Sequence, residues 1–170
     1  MMISDKMVAA INAQIGREFG AAMQYVAIAA YFGSENLPML AAHFYRQSEE
    51  ERMHALKFVH YVVETGGRVE VAAIAAPQNK FASAAEAVAL SRDWEVAVTK
   101  QINDLVDLAL SEKDHLTRQF LQWYVMEQLE EVSSMEALLS TIHRAKDSLL
   151  LVEDYLTRAK AAPPSGVMAE

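Results

Sequence analysis

Four separate stretches of this chain carry an apolar seam whose steps alternate three and four residues, and every seam is broken by polar side chains near its middle. Such alternation keeps one face of an α-helix turned toward its neighbours, so the pattern calls for long packed helices rather than sheet. The first seam is Val8, Ile11, Ile15, Glu18, Ala22, Tyr25, Ala29 and Phe32. The second is Leu37, Leu40, Phe44, Gln47, Glu51, His54, Phe58 and Tyr61. Val88, Ser91, Glu95, Val98, Ile102, Leu105 and Ala109 form the third, and Leu121, Tyr124, Gln128, Glu131, Met135, Leu138 and Ile142 the fourth. Helices are predicted over Ser4 to Gly33, Leu37 to Glu64, Ala84 to Ser111 and Asp114 to His143, with a shorter fifth near Lys146 to Lys160. Composition agrees: only four prolines and six glycines punctuate 170 residues, of which 52% are hydrophobic.

The links between the helices set the topology. The first and second helices, and the third and fourth, are separated by only a few residues, so each pair forms an antiparallel hairpin. Thr65 to Ser83 lacks strong periodicity. A helix of about 28 residues is about 42 Å long, and the intervening segment, fully extended, reaches about 60 Å. It can therefore run the length of the bundle, which makes the second and third helices parallel. The expected fold is all-α, an up-down four-helix bundle with one long crossover and a short fifth C-terminal helix, in one domain over 1–160. The tail over 161–170, with Pro163, Pro164 and Gly166, is expected to be disordered.

The polar members of the seams are the informative ones. Glu18, Glu51, His54, Glu95, Gln128 and Glu131 each lie near the middle of their helix, so matched helices bring them to one level. Burying several carboxylates together costs several kcal/mol per ion, and like charges add to it. No Lys or Arg occupies a seam position at that level, which leaves a bound multivalent cation as the economical compensation. With no cysteine in the chain, the ligands are carboxylates and imidazole, a set that suits iron or manganese better than calcium or structural zinc. Di-iron bundles place a Glu on each of two helices and a Glu-x-x-His on each of the other two. Here Glu18 and Glu95 are the single carboxylates, Glu51 and His54 form one pair, and Gln128 with Glu131 stands where the second pair would be.

Plainer readings stand beside these. A lone Glu-x-x-His carries little weight, as Glu112 and His115 show by repeating it across a turn. A metal-free hydrogen-bonded network is the alternative for the polar level. Tyr25, on the same stripe as Glu18, fits equally an electron donor or a buried tyrosine with a satisfied hydroxyl. Trp123 reads as packing, and His43, His60, His115 and His143 as surface or capping residues. Glu50, Glu127 and Glu130 flank the seams at site level and fit either a neighbouring acidic pocket or a solvated face.

The segments Gln14 to Glu18 and on to Tyr25, Glu49 to His54, Trp94-Glu95 and Phe120 to Glu131 closely resemble those of bacterial non-haem ferritins, in register over roughly Ser4 to Lys160. The block Leu121-Gln122-Trp123-Tyr124 followed by Glu127-Gln128 and Glu130-Glu131 is the most specific. The resemblance implies an iron-storage protein with ferroxidase activity, which oxidises Fe(II) with dioxygen or peroxide and stores Fe(III) as mineral in a shell of twenty-four subunits. It implies that Glu18, Glu51 and His54 hold one iron and that Glu51 bridges to a second, held by Glu95 and Glu131 with Gln128 close by. It also implies that Glu50, Glu127 and Glu130 form a third iron site, that Tyr25 stands beside the pair, and that Leu149 to Val152 line fourfold axes.

Haem-binding bacterioferritins carry a methionine directly after the Glu of Glu-x-x-His and a second such pair in the fourth helix. Here Arg52 takes the first place and Glu127 is followed by Glu130 rather than histidine, so no haem is expected; Met53 is displaced by about 100° around the helix. A net charge of −8 draws cations and disfavours nucleic acid, and there is no Lys-rich arm of the kind that gives DNA-protecting relatives their affinity. No apolar run is long enough for a membrane span and the start lacks a signal-peptide pattern, so a cytoplasmic protein is expected, and the resemblance implies that it is a homo-oligomer. The rival readings are a di-iron oxygenase or peroxidase acting on an organic or peroxide substrate, marked by a substrate pocket, and a purely structural subunit, marked by no iron oxidation.

Overall fold

The computed structural model describes residues 1–146 and 148–161, with the side chains of 160 and 161 outside that description. Five helices form: α1 Asp5–Ser34, α2 Pro38–Glu64, α3 Ala84–Ser111, α4 His115–Ala145 and α5 Leu149–Ala161. No strand occurs among the described residues. The expected disordered tail lies, beyond Ala161, outside them.

Local chemistry sets the helix ends. Ser4 accepts the Met7 amide at 3.0 Å, Ser83 the Glu86 amide at 3.1 Å and Asp114 the Thr117 amide at 2.9 Å, so α1, α3 and α4 each start at a side-chain cap. Asn36, Gly66 and Lys113 have φ of 57°, 80° and 57°, the left-handed residues that end α1, α2 and α3. The cap residue of α2, Leu37, has no side-chain acceptor. Glu153 of α5 supplies one, accepting the Met39 and Leu40 amides at 2.8 Å each. A carboxylate there also meets the positive end of the helix dipole. α5 is thus anchored on α2, with Val152 and Leu156 buried in the bundle. This corrects the expected apolar face of α5, since Val152 belongs to the core while Leu150 and Leu151 stay exposed.

α1 packs on α2, α3 on α4, and α1 on α3. No Cα of α2 comes within 8 Å of one on α4, so large side chains span that seam: Phe58 stacks on Tyr124 at 4.1 Å and Tyr61 on Phe120 at 3.8 Å. The crossover runs beside α1. Asn12 donates to the Arg68 carbonyl, Gly16 leaves room for Ala72, and Gln24 both donates to and accepts from the Gln78 backbone. These anchors follow at steps of four and eight residues on α1 and climb with the crossover, which carries the chain the length of the bundle as expected.

Every residue of the four seams is buried. Apolar residues form two clusters, one around Tyr25, Phe32, Phe44 and Met135, the other around Ile11, Phe58, Ile102 and Tyr124. Between them lies the polar level. No helix among the described residues is long and apolar enough to cross a membrane.

Candidate metal centre

Glu18 of α1, Glu51 and His54 of α2, Glu95 of α3 and Gln128 and Glu131 of α4 meet at the polar level, none more than 5% exposed. A step of three residues puts Glu51 and His54 on one stripe, and likewise Gln128 and Glu131. Ligand atoms of Glu18, Glu51 and His54 lie within 4.8 Å of one another, and a second such group joins His54 to Glu127 and Glu131. His54 stands between the two, with Nδ1 at 3.6 Å from Glu51 Oε2 and Nε2 at 3.9 Å from Glu127 Oε1.

Hydrogen bonds distribute unevenly over these carboxylates. Glu18 Oε1 accepts from Gln14 Nε2 at 2.7 Å, while its buried Oε2 has no partner. Glu95 has a partner on each oxygen by contrast. The Tyr25 hydroxyl donates to its Oε1, and Gln128 Nε2 lies at 3.2 Å from its Oε2. Gln128 also reaches Thr99 Oγ1 at 3.3 Å, and the Tyr124 hydroxyl donates to the His54 carbonyl at 2.7 Å, holding α4 to α2 behind the imidazole.

Burial and mutual repulsion make these acids weak. Burial, then the charge of Glu51, lifts Glu18 well above the usual carboxylate range, and burial followed by Glu95 does the same to Glu51. Burial, with Glu95 and Glu50 adding to it, pushes Glu131 up to about 9. Glu95 is raised by burial too, against the opposing hydrogen bonds from Tyr25 and Gln128. Among the described residues no Lys or Arg forms an ion pair with any of them. A divalent cation would replace the missing charge and give the orphaned Glu18 oxygen a partner, and carboxylates with one imidazole form a donor set that iron accepts.

Glu50, Glu127 and Glu130 line a polar cavity of about 210 Å³ between α2 and α4, with Glu131 at its inner end. Of the two arrangements that spacing left open for these residues, a pocket and a solvated face, the structure has a pocket. Its other lining was not foreseen: His43, Arg46 and Gln47 join it. His43 is half-buried, with its Nε2 enclosed and without a partner, and burial followed by Arg46 lowers its pKa to about 4. Only the three- and four-residue steps from His43 to Arg46 and Gln47 hinted at this in the sequence. Trp123 is packed edge-on against His54 at 5.3 Å, partly exposed, with Lys57 Nζ 3.3 Å above its ring.

This geometry has counterparts among known proteins. Residues 8–145 match the ferritin-like domain family. The chain belongs to the ferritin family. It is 42% identical over 160 residues to ferritin BfrB of Mycolicibacterium smegmatis, covering 94% of this chain and 88% of that protein. It is 35% identical over 146 residues to bacterial non-heme ferritin of Staphylococcus aureus, covering 86% and 88%. Among solved structures, an open pore ferritin from the hyperthermophilic archaeon Archaeoglobus fulgidus superposes with a TM-score of 0.89 at 38% identity, covering 92% of this chain and 97% of that one. A closed form of that ferritin, engineered by site-directed mutagenesis, gives 0.88 at 39% identity, covering 91% and 96%. At the level of the family this ferritin's work is the storage of iron, with iron its substrate.

Proposed function

We propose that this ferritin is a ferroxidase: it binds two Fe(II) ions per subunit at the polar level, oxidises them with dioxygen or peroxide, and stores Fe(III) as mineral in a shell of twenty-four copies. One observation carries the reading. Four buried carboxylates and an imidazole meet mid-bundle and, among the described residues, no Lys or Arg forms an ion pair with them, an arrangement that costs stability unless cations are its purpose. In this reading Glu18, Glu51 and His54 hold one ion. Glu51 bridges to the second, which Glu95 and Glu131 hold with Gln128 beside it. Each Fe(II) loses one electron, and two electrons with two protons convert dioxygen to hydrogen peroxide.

The residues' part is to position the ions, neutralise their charge and exclude bulk water. Tyr25, donating to Glu95, is a group beside the reacting ions able to supply a further electron. The acidic cavity lined by Glu50, Glu127 and Glu130 serves as a third iron site on the way to the mineral. The exposed Leu150 and Leu151 of α5 offer an apolar face for assembly around fourfold axes. Arg52, where haem-binding relatives carry methionine, supports a haem-free protein, and the cysteine-free sequence suits the cytoplasm.

Timing Fe(III) formation after Fe(II) is added in air to metal-free protein, with Glu51→Ala run in parallel, tests this. Fast oxidation of about two irons per subunit, lost in the variant, is expected. Equal background rates in both would mean the carboxylates are structural.

A further inference from the structure

Glu18 is held by two hydrogen bonds in series that begin at the protein surface. Arg17 Nη1 donates to Gln14 Oε1 at 3.1 Å, and Gln14 Nε2 donates to Glu18 Oε1 at 2.7 Å. Gln14 is fully buried, whereas Arg17 is exposed. The direction of the relay follows from charge. A guanidinium only donates, so turning the Gln14 amide over would set its NH2 against the Arg17 N–H groups and leave its oxygen toward Glu18. Arg17 therefore locks Gln14 as a donor. The result is visible on Glu18, whose Oε1 is occupied by the amide while Oε2, buried and without an amide or hydroxyl donor in a carboxyl that neighbours Glu51, is left for a cation.

We propose that Gln14, locked by Arg17, is a positioning residue that presents Glu18 Oε2 to the first Fe(II) ion. This rests on the ferroxidase reading above. The terminal torsion of a glutamate is broad and roughly two-fold, so an untethered Glu18 would turn either oxygen, or both, toward the ion or toward Glu51. A donor fixed on Oε1 removes that freedom before the ion arrives. Losing a supporting hydrogen bond to a metal ligand typically costs 10- to 100-fold in affinity. Gln14 hydrogen-bonds Glu18 alone among the candidate ligands, and Arg17 acts on Glu18 only through Gln14, so the effect falls on the first ion.

The test is titration of metal-free, full-length protein with Co(II), followed by its visible d–d absorption, in the parent, Gln14→Leu, Arg17→Leu, the double variant and Glu51→Ala. Gln14→Leu is expected to weaken the first Co(II) by about 10- to 100-fold and to alter its d–d bands as Glu18 changes its mode of binding. Arg17→Leu should weaken it about threefold or more, and add nothing in the Gln14→Leu background. The sign is diagnostic, because deleting a positive charge near a cation site would by charge alone tighten binding. Arg17→Lys, which can still donate to Gln14 Oε1, should restore part of the loss. These Arg17 variants alter an exposed residue, so they decide the matter even if Gln14→Leu fails to fold.

Parent-like affinity and bands in Gln14→Leu and Arg17→Leu would overturn the inference, as would tighter binding in Arg17→Leu. Co(II) binding that Glu51→Ala abolishes while Gln14→Leu keeps it would sink the positioning role alone. A parent that binds no Co(II) at the centre would remove the ferroxidase reading and this inference together.

Discussion

On the α1–α2 side of the centre Glu18 engages one oxygen with Gln14 and leaves the other bare, whereas on the α3–α4 side Glu95 has both oxygens engaged, by Tyr25 and Gln128. His54 adds a nitrogen donor beside Glu51, while on the second side Glu131 takes the matching step and Gln128 adds an amide. The difference teaches that similar acids at one level need not be equivalent. One half presents an open ligand atom; in the other each oxygen already carries a hydrogen bond, worth about 0.5–1.5 kcal/mol net, that orients it while its remaining lone pair faces the metal.

Glu51 belongs to both halves, so its loss breaks the comparison altogether. Glu51→Gln should lower the rate of Fe(II) oxidation by more than about 100-fold, beyond what loss of a supporting hydrogen bond costs; stopped-flow absorbance would show it, and a rate within tenfold of the parent would contradict the bridging role. Next comes pH. A carboxylate whose folded pKa is raised contributes stability that is complete below its unfolded pKa and lost as pH climbs through the folded one. With Glu131 at about 9, metal-free protein should melt roughly 5 to 10 °C lower at pH 7 than at pH 5. Glu131→Gln should flatten that slope, and metal loading at pH 7 should release protons that calorimetry in buffers of differing ionisation enthalpy counts. A melting temperature that rises over this range would refute the assignment.

Smaller effects sharpen the contrast between the halves. Tyr25→Phe removes the donor on Glu95 Oε1 and should weaken the second Co(II) about tenfold, leaving the first within about twofold; equal losses at both would show that the halves are not separable. Gln128→Leu removes longer hydrogen bonds and should cost the second ion only about fivefold, roughly 1 kcal/mol, in the same titration.

Much of this was legible from spacing. The three- and four-residue steps located every buried seam residue, because a helix allows only one face to be continuously apolar. Polar breaks in four independent seams fall at one level because helices of similar length are paired by tight links and the crossover between the pairs runs the length of the bundle. The acids of the centre were therefore readable before the fold. Gln14, His43 and Arg46 were not, since amides, imidazoles and guanidinium groups off the seam have the same spacing whether they face water or a cavity. Only packing buries Gln14 completely and gives His43 a place in the acidic cavity. The crossover too was bounded only by its reach; its anchors at Asn12, Gly16 and Gln24 depend on which face of α1 it covers.

The sequence by itself determined the helices, their hairpin order and the residues that share the polar level, since these follow from periodicity and link length, which are local properties. Tertiary structure alone decided how each acid is held: which oxygen of Glu18 stays bare, that Glu95 is closed by Tyr25 seventy residues away, and that α2, begun by a leucine unable to cap it, is capped by Glu153 of α5. Hydrogen bonds act over about 3 Å and with direction. A pattern along the chain fixes which face a side chain is on, and only the packed neighbours fix which atom it meets.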